Sequence, residues 1–342
     1  MMPKRMEEKL RDYFSTKLPD KKGLVVEQLI RMTEGFSYET FLCTAKWEEG
    51  QTIISQDFVI RMEPEYGPVP PYDVEKQYRL LKILENTLVP VPRVYWLEKD
   101  EKILGKPFFL MEKVEGEIPI PWKTDKRTSF ADPAQKERMA EEFVKVLAQI
   151  HTVDWESLGL AFLEAPKGPE DYALQEIKRW EEIIERDQLA PQPILAEALC
   201  WLKKNIPTAE RTTLVHGDYR LGNFIWRDNR IAAFLDWEMT ALGDPMSDLG
   251  WVCMKRIRGK SPLMSALVDK EVLFQKYEEM AGIKVREESL FFWEVLGYVK
   301  LAAVELAGIR ACVSGKNPDI RLVTFEVLLL YILDELAGLL GF

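Results

Sequence analysis

Hydrophobic spacing changes character once along this chain, near Gly116, and no other feature restricts the fold as much. Before that point the apolar residues come in short strand-like runs: Leu24–Met32, Phe36–Trp47, Gln56–Met62, Arg93–Leu97 and Pro107–Val114. An amphipathic helix precedes them over residues 4–17, with Met6, Leu10, Tyr13 and Phe14 on one stripe. A second helix is predicted over 73–86, where Leu80, Leu81 and Leu84 share a side and Pro90 and Pro92 stop the chain from continuing. After Gly116 the spacing is helical over 132–152, 169–188, 193–205, 267–281, 286–309 and 318–340. One β-rich insert, Thr213–Trp237, interrupts it. The pattern predicts an α+β chain in two lobes. Residues 1–114 form a small β-rich N-lobe with one helix in its sheet, and residues 115–342 a larger, mainly helical C-lobe. A chain of 342 residues is long enough to give each a core.

Composition removes several function classes. With 47% apolar and 30% charged residues the chain is globular rather than disordered. Its net charge of −10 argues against a general nucleic-acid binder, which needs a basic face for phosphates. Cys43, Cys200, Cys253 and Cys312 lie far apart, a spacing that implies neither a zinc site nor a disulfide framework and reads as free thiols in a reducing compartment. Residues 1–11 are charged and lack a signal-peptide core. No apolar run approaches the roughly 18 residues of a membrane span, and the stretch near Leu328 is broken by Asp334 and Glu335. A soluble, cytoplasmic protein without membrane or nucleic-acid partners is expected; its oligomeric state is not written in the sequence.

The densest chemical signal is LVHGDYRLGNFIWRDNRIAAFLDWE, residues 214–238. His216, Gly217, Asp218 and Asn223 form H-G-D-x-x-x-x-N, and Asp236 follows the apolar run Ile231–Leu235. A short strand, a polar loop and a hairpin would bring Asp218, Asn223 and Asp236 to one end. Asp218 is placed to take a proton from a hydroxyl, while the Asn223 amide oxygen and the Asp236 carboxylate are hard ligands suited to Mg²⁺. Phosphoryl transfer needs such parts, since positioning and charge neutralisation supply most of its catalysis.

This segment resembles the aminoglycoside phosphotransferase family, kinase-like small-molecule kinases that also include the choline kinases. GDPMSDL, residues 243–249, is similar to the branch related to phosphotransferase domains attached to acyl-CoA dehydrogenases. The resemblance runs over roughly 24–335. It implies a protein-kinase-like fold, ATP or GTP as phosphoryl donor, Asp218 as catalytic base, and Asn223 and Asp236 as holders of Mg²⁺ on the nucleotide phosphates.

Further roles follow from the resemblance. The segment 33–40 joins two strands where a phosphate-covering loop should lie. It has one glycine rather than G-x-G-x-x-G, leaving Gly35 and Ser37 as donors to phosphate oxygens. Arg61 stands where kinases place the lysine that grips the α- and β-phosphates, and a guanidinium can serve there as a fork of donors. The family's helical glutamate partner aligns with Gln77. Glu75 points about 200° away on a helix, so either Gln77 serves a guanidinium or the helix shifts to bring Glu75 in. Pro107–Val114 is then the hinge strand, offering adenine the backbone of Glu112 and Val114 with Met111 beside the ring.

Four other positions have plainer readings. His151 reads as a structural histidine bonding backbone, and His216 as a residue that fixes the loop. Asp244 is placed to cap a helix after Pro245, with Asp248 available to touch the catalytic loop. The acceptor is expected to be a small hydroxylated molecule. The acidic C-lobe suits an aminoglycoside or amino alcohol, whereas Lys255, Arg256, Arg258 and Lys260 suit a hydroxy acid or hydroxyacyl group. A protein kinase is disfavoured because D-F-G and A-P-E are missing and Trp237-Glu238 follow Asp236. The remaining alternative is a nucleotide-binding pseudo-kinase or scaffold, motivated by Gln77 and the reduced glycine loop; retention of Asp218, Asn223 and Asp236 together opposes it.

Overall fold

A computed structural model of the chain describes residues 2–32, 37–67, 71–119, 132–259, 261–317 and 319–341. It divides into two compact units, Met1–Asn86 with Val91–Val114, and Thr87–Pro90 with Glu115–Phe342. The excursion at 87–90 has a local cause: the Pro90 carbonyl accepts the Phe234 N–H at 2.7 Å, which ties that turn to the second unit.

The first unit begins with α1 (Met2–Lys17) and contains β1 (Lys22–Arg31), β2 (Glu39–Glu49), β3 (Thr52–Met62), α2 (Val74–Leu84), β4 (Val94–Glu98), α3 (Glu101–Leu104) and β5 (Phe108–Glu112). The strands form one antiparallel sheet in the order β1-β2-β3-β5-β4. Leu10, Tyr13 and Phe14, one helical turn apart, bury against it, with Tyr13 5.4 Å from Phe108 and Phe14 5.0 Å from Phe58. The β2–β3 hairpin pairs without interruption from Glu39 opposite Met62 to Glu49 opposite Thr52, a register that sets Thr40 against Arg61. Asp73 starts α2 by accepting the Lys76 N–H at 2.8 Å, and Val74, Gln77, Leu80, Leu81 and Leu84 form its buried stripe. The one-turn α3 was not expected; four residues are too few to show a period.

The second unit contains α4 (Pro133–His151), α5 (Asp171–Asp187), α6 (Pro193–Lys204), β6 (Thr213–Val215), β7 (Phe224–Arg227), β8 (Arg230–Phe234), β9 (Ala241–Gly243), α7 (Met246–Cys253), α8 (Lys255–Arg258), α9 (Lys270–Ala281), α10 (Glu287–Val313) and α11 (Phe325–Leu340). The insert becomes two small antiparallel sheets, β6 with β9 and β7 with β8. Asp228 and Asn229 join β7 to β8 at φ of 52° and 61°, the pair of left-handed residues that a tight hairpin demands. The helix expected over 318–340 is divided, because Ile320–Thr324 is a 3₁₀ turn opened by Asp319 accepting the Arg321 N–H. The 27-residue α10 is apolar on nearly every side and runs through the core. Among the described residues no helix is long and apolar enough to cross a membrane.

Candidate active site

Between β6 and β7 the chain makes a tight loop, His216–Asn223, whose shape the sequence enforces. Gly217 has φ of +82°, and a Cβ there would lie 2.5 Å from the Met239 carbonyl, so only glycine fits. Asp218 follows immediately. The Asn223 side-chain amide donates to the Asp218 carbonyl at 2.9 Å and to its Oδ2 at 2.7 Å. That amide orientation leaves the Asn223 carbonyl oxygen as the ligand-capable end. The Leu235 N–H returns to the Asn223 backbone carbonyl at 2.6 Å, which sets Asp236 at the exit of the same hairpin. Asp236 itself has φ of 66°, a conformation that aspartate tolerates better than most residues. Asp218, Asn223 and Asp236 thus share one end of the hairpin, as the spacing predicted.

Buried side chains hold the loop from below. Asp248, fully buried on α7, accepts the His216 N–H at 2.7 Å and the Gly217 N–H at 2.8 Å. Burial pushes its carboxyl up, but hydrogen bonds and charge from His151 and His216 more than offset this and hold it below the usual range. His151 contacts Asp248 Oδ2 at 3.1 Å and the Tyr277 hydroxyl at 2.7 Å. It is structural, as expected, yet its partners are side chains rather than backbone. His216 is driven below the usual histidine range by burial, against the pull of Asp248 and Asp218. Its Nδ1 accepts the Asp218 N–H at 3.2 Å and its Nε2 meets the Leu235 carbonyl at 2.9 Å, a pattern that assigns the proton to Nε2. Rings of Phe234 and Trp237 lie 4.8 and 4.7 Å from it. Asp244 accepts the Met246 N–H at the start of α7, as the capping reading anticipated, and also the Trp293 Nε1–H at 3.0 Å.

Two residues escaped the sequence reading. Arg220 Nε sits 3.0 Å from both Asp218 carboxylate oxygens, and the charges of Asp218, Asp236 and Glu238 all favour its cationic form. Lys300 on α10 donates to the Gly217 carbonyl and lies 4.6 Å from the Trp251 ring and 5.6 Å from the Trp180 ring. Burial lowers its pKa from the ordinary lysine value, opposed by Glu176, Asp218 and Asp248. A signal for each was present: a cation two residues after Asp218, and a single lysine inside the apolar run Val295–Val304. Trp237, Trp251 and Trp293 are buried in the core.

The nucleotide-side candidates belong to the other unit. Arg61, near the end of β3, donates to Thr40 Oγ1 at 3.2 Å and stacks 4.8 Å from the Tyr38 ring. Gln77 is buried on the inner stripe of α2, and its Oε1 has no hydrogen-bond partner. No hydrogen bond joins it to Arg61, contrary to the expected contact, because its place on the stripe follows the leucines. Glu75 pairs with Lys99 on the outer side of α2, so the helix has not turned to bring it inward. Ser37 is half-buried just before β2, whereas Gly35 lies outside the described residues. Met111 and Glu112 end β5 and Val114 follows; the Glu112 N–H is already committed to the Arg93 carbonyl at 2.7 Å. Of the basic cluster, Lys255 pairs with Glu335 at 2.5 Å, Arg258 donates to the Pro262 carbonyl at 3.1 Å, and Lys260 lies outside the described residues.

Comparison with known proteins bears on this chemistry. Over 224 residues, 64% of this chain, the sequence is 32% identical to Acyl-CoA dehydrogenase family member 10 of Mus musculus. The chain spans only 20% of that protein's length. A candidate aminoglycoside phosphotransferase from Ralstonia eutropha JMP134 shares the fold, with a TM-score of 0.73, 24% identity and 97% of each chain covered. A thermostable mutant of aminoglycoside phosphotransferase APH(4)-Ia, solved as a ternary complex with ADP and hygromycin B, gives a TM-score of 0.57 at 14% identity over 96% of this chain and 97% of that one. Residues 33–283 match the model of the phosphotransferase enzyme family. That match takes in the loop and hairpin built above and well over half of the sequence, and this chain belongs to the phosphotransferase enzyme family.

Proposed function

We propose that the protein is an ATP- and Mg²⁺-dependent kinase that phosphorylates a hydroxyl of a small molecule. The observation that carries this reading is the Asp218 carboxylate held by the Asn223 amide, with Asp236 delivered by the same hairpin. Asp218 accepts the proton of the acceptor hydroxyl as its oxygen bonds the γ-phosphorus. The bond from that phosphorus to the β,γ-bridging oxygen breaks, releasing ADP and a phosphomonoester. The neighbour holding ADP and hygromycin B supports a nucleotide donor and a hydroxylated acceptor; GTP is the other donor this reading allows. Met111 would lie beside the base of the nucleotide, which would meet the Glu112 carbonyl and the Val114 backbone, while Arg61, with Gly35 and Ser37, would take the phosphates.

The residues fit a magnesium ion. The donor set is one carboxylate, Asp236, and one amide oxygen, Asn223, the number that suits Mg²⁺ shared with nucleotide phosphates rather than caged by protein alone. Among the described residues no cluster of three or more His, Cys, Asp or Glu side chains forms a metal site by itself. When bound, the ion would neutralise phosphate charge. Arg220, between acidic neighbours, supplies a positive charge beside the base from the chain itself.

The acceptor stays at the level of class: an aminoglycoside, an amino alcohol, or a hydroxy acid or hydroxyacyl compound. The test is a thermal shift with ATP, with and without Mg²⁺, followed by ATP consumption across a panel of hydroxylated metabolites and aminoglycosides. Stabilisation by ATP that requires Mg²⁺, and a phosphorylated product from one class, are expected. Nucleotide binding without turnover of any acceptor would favour the scaffold alternative, and no nucleotide response would sink both.

A further inference from the structure

Lys300 has an unusual place for a lysine. It is 7% exposed, in the middle of the apolar α10, and its ammonium makes one hydrogen bond to an oxygen, the Gly217 carbonyl. The Trp251 and Trp180 rings cover it. Burying an ammonium costs free energy that two cation–π contacts and one hydrogen bond offset only in part. An apolar side chain would pack this site at less cost.

The carbonyl it holds explains the expense. The Gly217 C=O and the Asp218 N–H are the two ends of one planar peptide. Asp218 N–H is bound by His216 Nδ1 at 3.2 Å, and Lys300 binds the opposite end. The preceding peptide is held through the Gly217 N–H by Asp248. Glycine at φ of +82° is obligatory here, and glycine is also the residue whose flanking peptides rotate most freely. The loop therefore needs an external device to select one orientation of the peptide that carries the base.

We propose that Lys300 is a positioning residue for phosphoryl transfer: its buried ammonium locks the Gly217–Asp218 peptide and so aims the Asp218 carboxylate. The proposal rests on the kinase reading above. A charged donor suits the task because a charge-assisted hydrogen bond is roughly twice as strong as a neutral one. Trp180 belongs to α5 and Trp251 to α7, so the same side chain ties the orientation of the loop to two helices of the unit.

Lys300→Met keeps length and apolar packing while removing charge and donor; Lys300→Arg keeps both. Amide hydrogen exchange of the ligand-free protein is the first readout. Asp218 should exchange at least about tenfold faster in Lys300→Met and close to the wild-type rate in Lys300→Arg. The second readout is Mg·ATP turnover, with water as the acceptor probe. In folded Lys300→Met kcat should fall about 10²-fold, as for a base misplaced by about an ångström, with KM for ATP nearly constant. Lys300→Arg should recover most of that loss. The melting temperature of Lys300→Met should hold or rise, since an apolar residue replaces a buried charge. A purely structural lysine predicts the reverse: lower melting temperature, unchanged kcat per folded molecule and unchanged Asp218 exchange. Either of the last two results overturns the proposal. Should Lys300→Met not fold, Lys300→Gln takes its place, and wild-type kcat in folded Lys300→Gln overturns it equally. A wild-type protein that turns over ATP neither with water nor with any acceptor of the panel defeats the kinase reading instead, and the exchange data then still decide whether Lys300 holds the peptide.

Discussion

The loop around Asp218 and the corner around Arg61 handle polar groups in opposite ways. In the helical unit, the backbone of His216 and Gly217 is gripped by Asp248 and Lys300, and the Asp218 carboxylate by Asn223 and Arg220. In the β-rich unit, Arg61 rests on a hydroxyl and an aromatic face, and buried Gln77 leaves its Oε1 without a partner. The difference teaches where geometry is set before a ligand arrives. A base, as we propose Asp218 to be, must be aimed within a fraction of an ångström, and this loop is fixed in advance. Near Arg61 the fold leaves at least one buried acceptor, Gln77 Oε1, without a hydrogen-bond partner.

The comparison breaks most visibly at Asp218. Asp218→Asn keeps size and most hydrogen bonds but removes the proton acceptor, so kcat should fall about 10²–10⁴-fold while Mg·ATP binding barely changes. Asp236→Asn should lose metal affinity and activity together, which isothermal titration with Mg·ATP would distinguish. Near-wild-type turnover by a folded Asp218→Asn protein would remove the catalytic reading of the loop.

The next effect belongs to Asp248, the anchor under the loop. Asp248→Ala leaves two buried backbone N–H groups and His151 without their acceptor, and should cost about 3–5 kcal/mol of stability in urea denaturation. A loss below about 1 kcal/mol would show that the loop is not held from beneath.

Arg61→Ala tests the opposite corner, where no comparable loss of stability is expected. ATP binding should weaken by about 1.5–3 kcal/mol, the worth of a charged hydrogen bond. Unchanged affinity in a folded variant would take Arg61 out of the site. Gln77→Glu sharpens the point: retained or increased activity places position 77 beside the phosphate clamp, and a collapse of the fold assigns it to packing alone.

A further effect concerns Glu305, one of several residues of the helical unit with a buried polar atom that lacks a hydrogen-bond partner. Its Oε2 has no partner, and burial raises its carboxyl from 4.5 to about 7, opposed by Arg256. The folded state therefore binds the proton more tightly than the unfolded one. Stability is full below about pH 4.5 and is lost as pH rises through about 7. Melting temperature measured from pH 5 to 8 should decline more in the wild type than in Glu305→Gln. Parallel curves would show that the carboxyl finds a partner in solution.

Much of this was legible in the one-dimensional pattern. Leu10, Tyr13 and Phe14 announced a helix with a buried stripe, the alternating runs announced the sheet, and H-G-D-x-x-x-x-N with Asp236 announced that three polar residues meet at one end of a hairpin, because local periodicity and motif spacing act within a few residues. The short α3 and the break before α11 were hidden, since single turns answer to capping side chains such as Asp100 and Asp319 rather than to a period.

What the sequence determined by itself, then, was which polar residues the loop and hairpin present and which element each occupies. Tertiary structure alone decided their partners. Lys300 lies 83 residues from Gly217, Asp248 lies 31 from it, and His151 lies 97 from Asp248. Nothing in a lysine within an apolar helix states which carbonyl it will reach. That choice follows from how α7 and α10 pack beneath the loop, where a buried charge must find an acceptor and only a few are within reach.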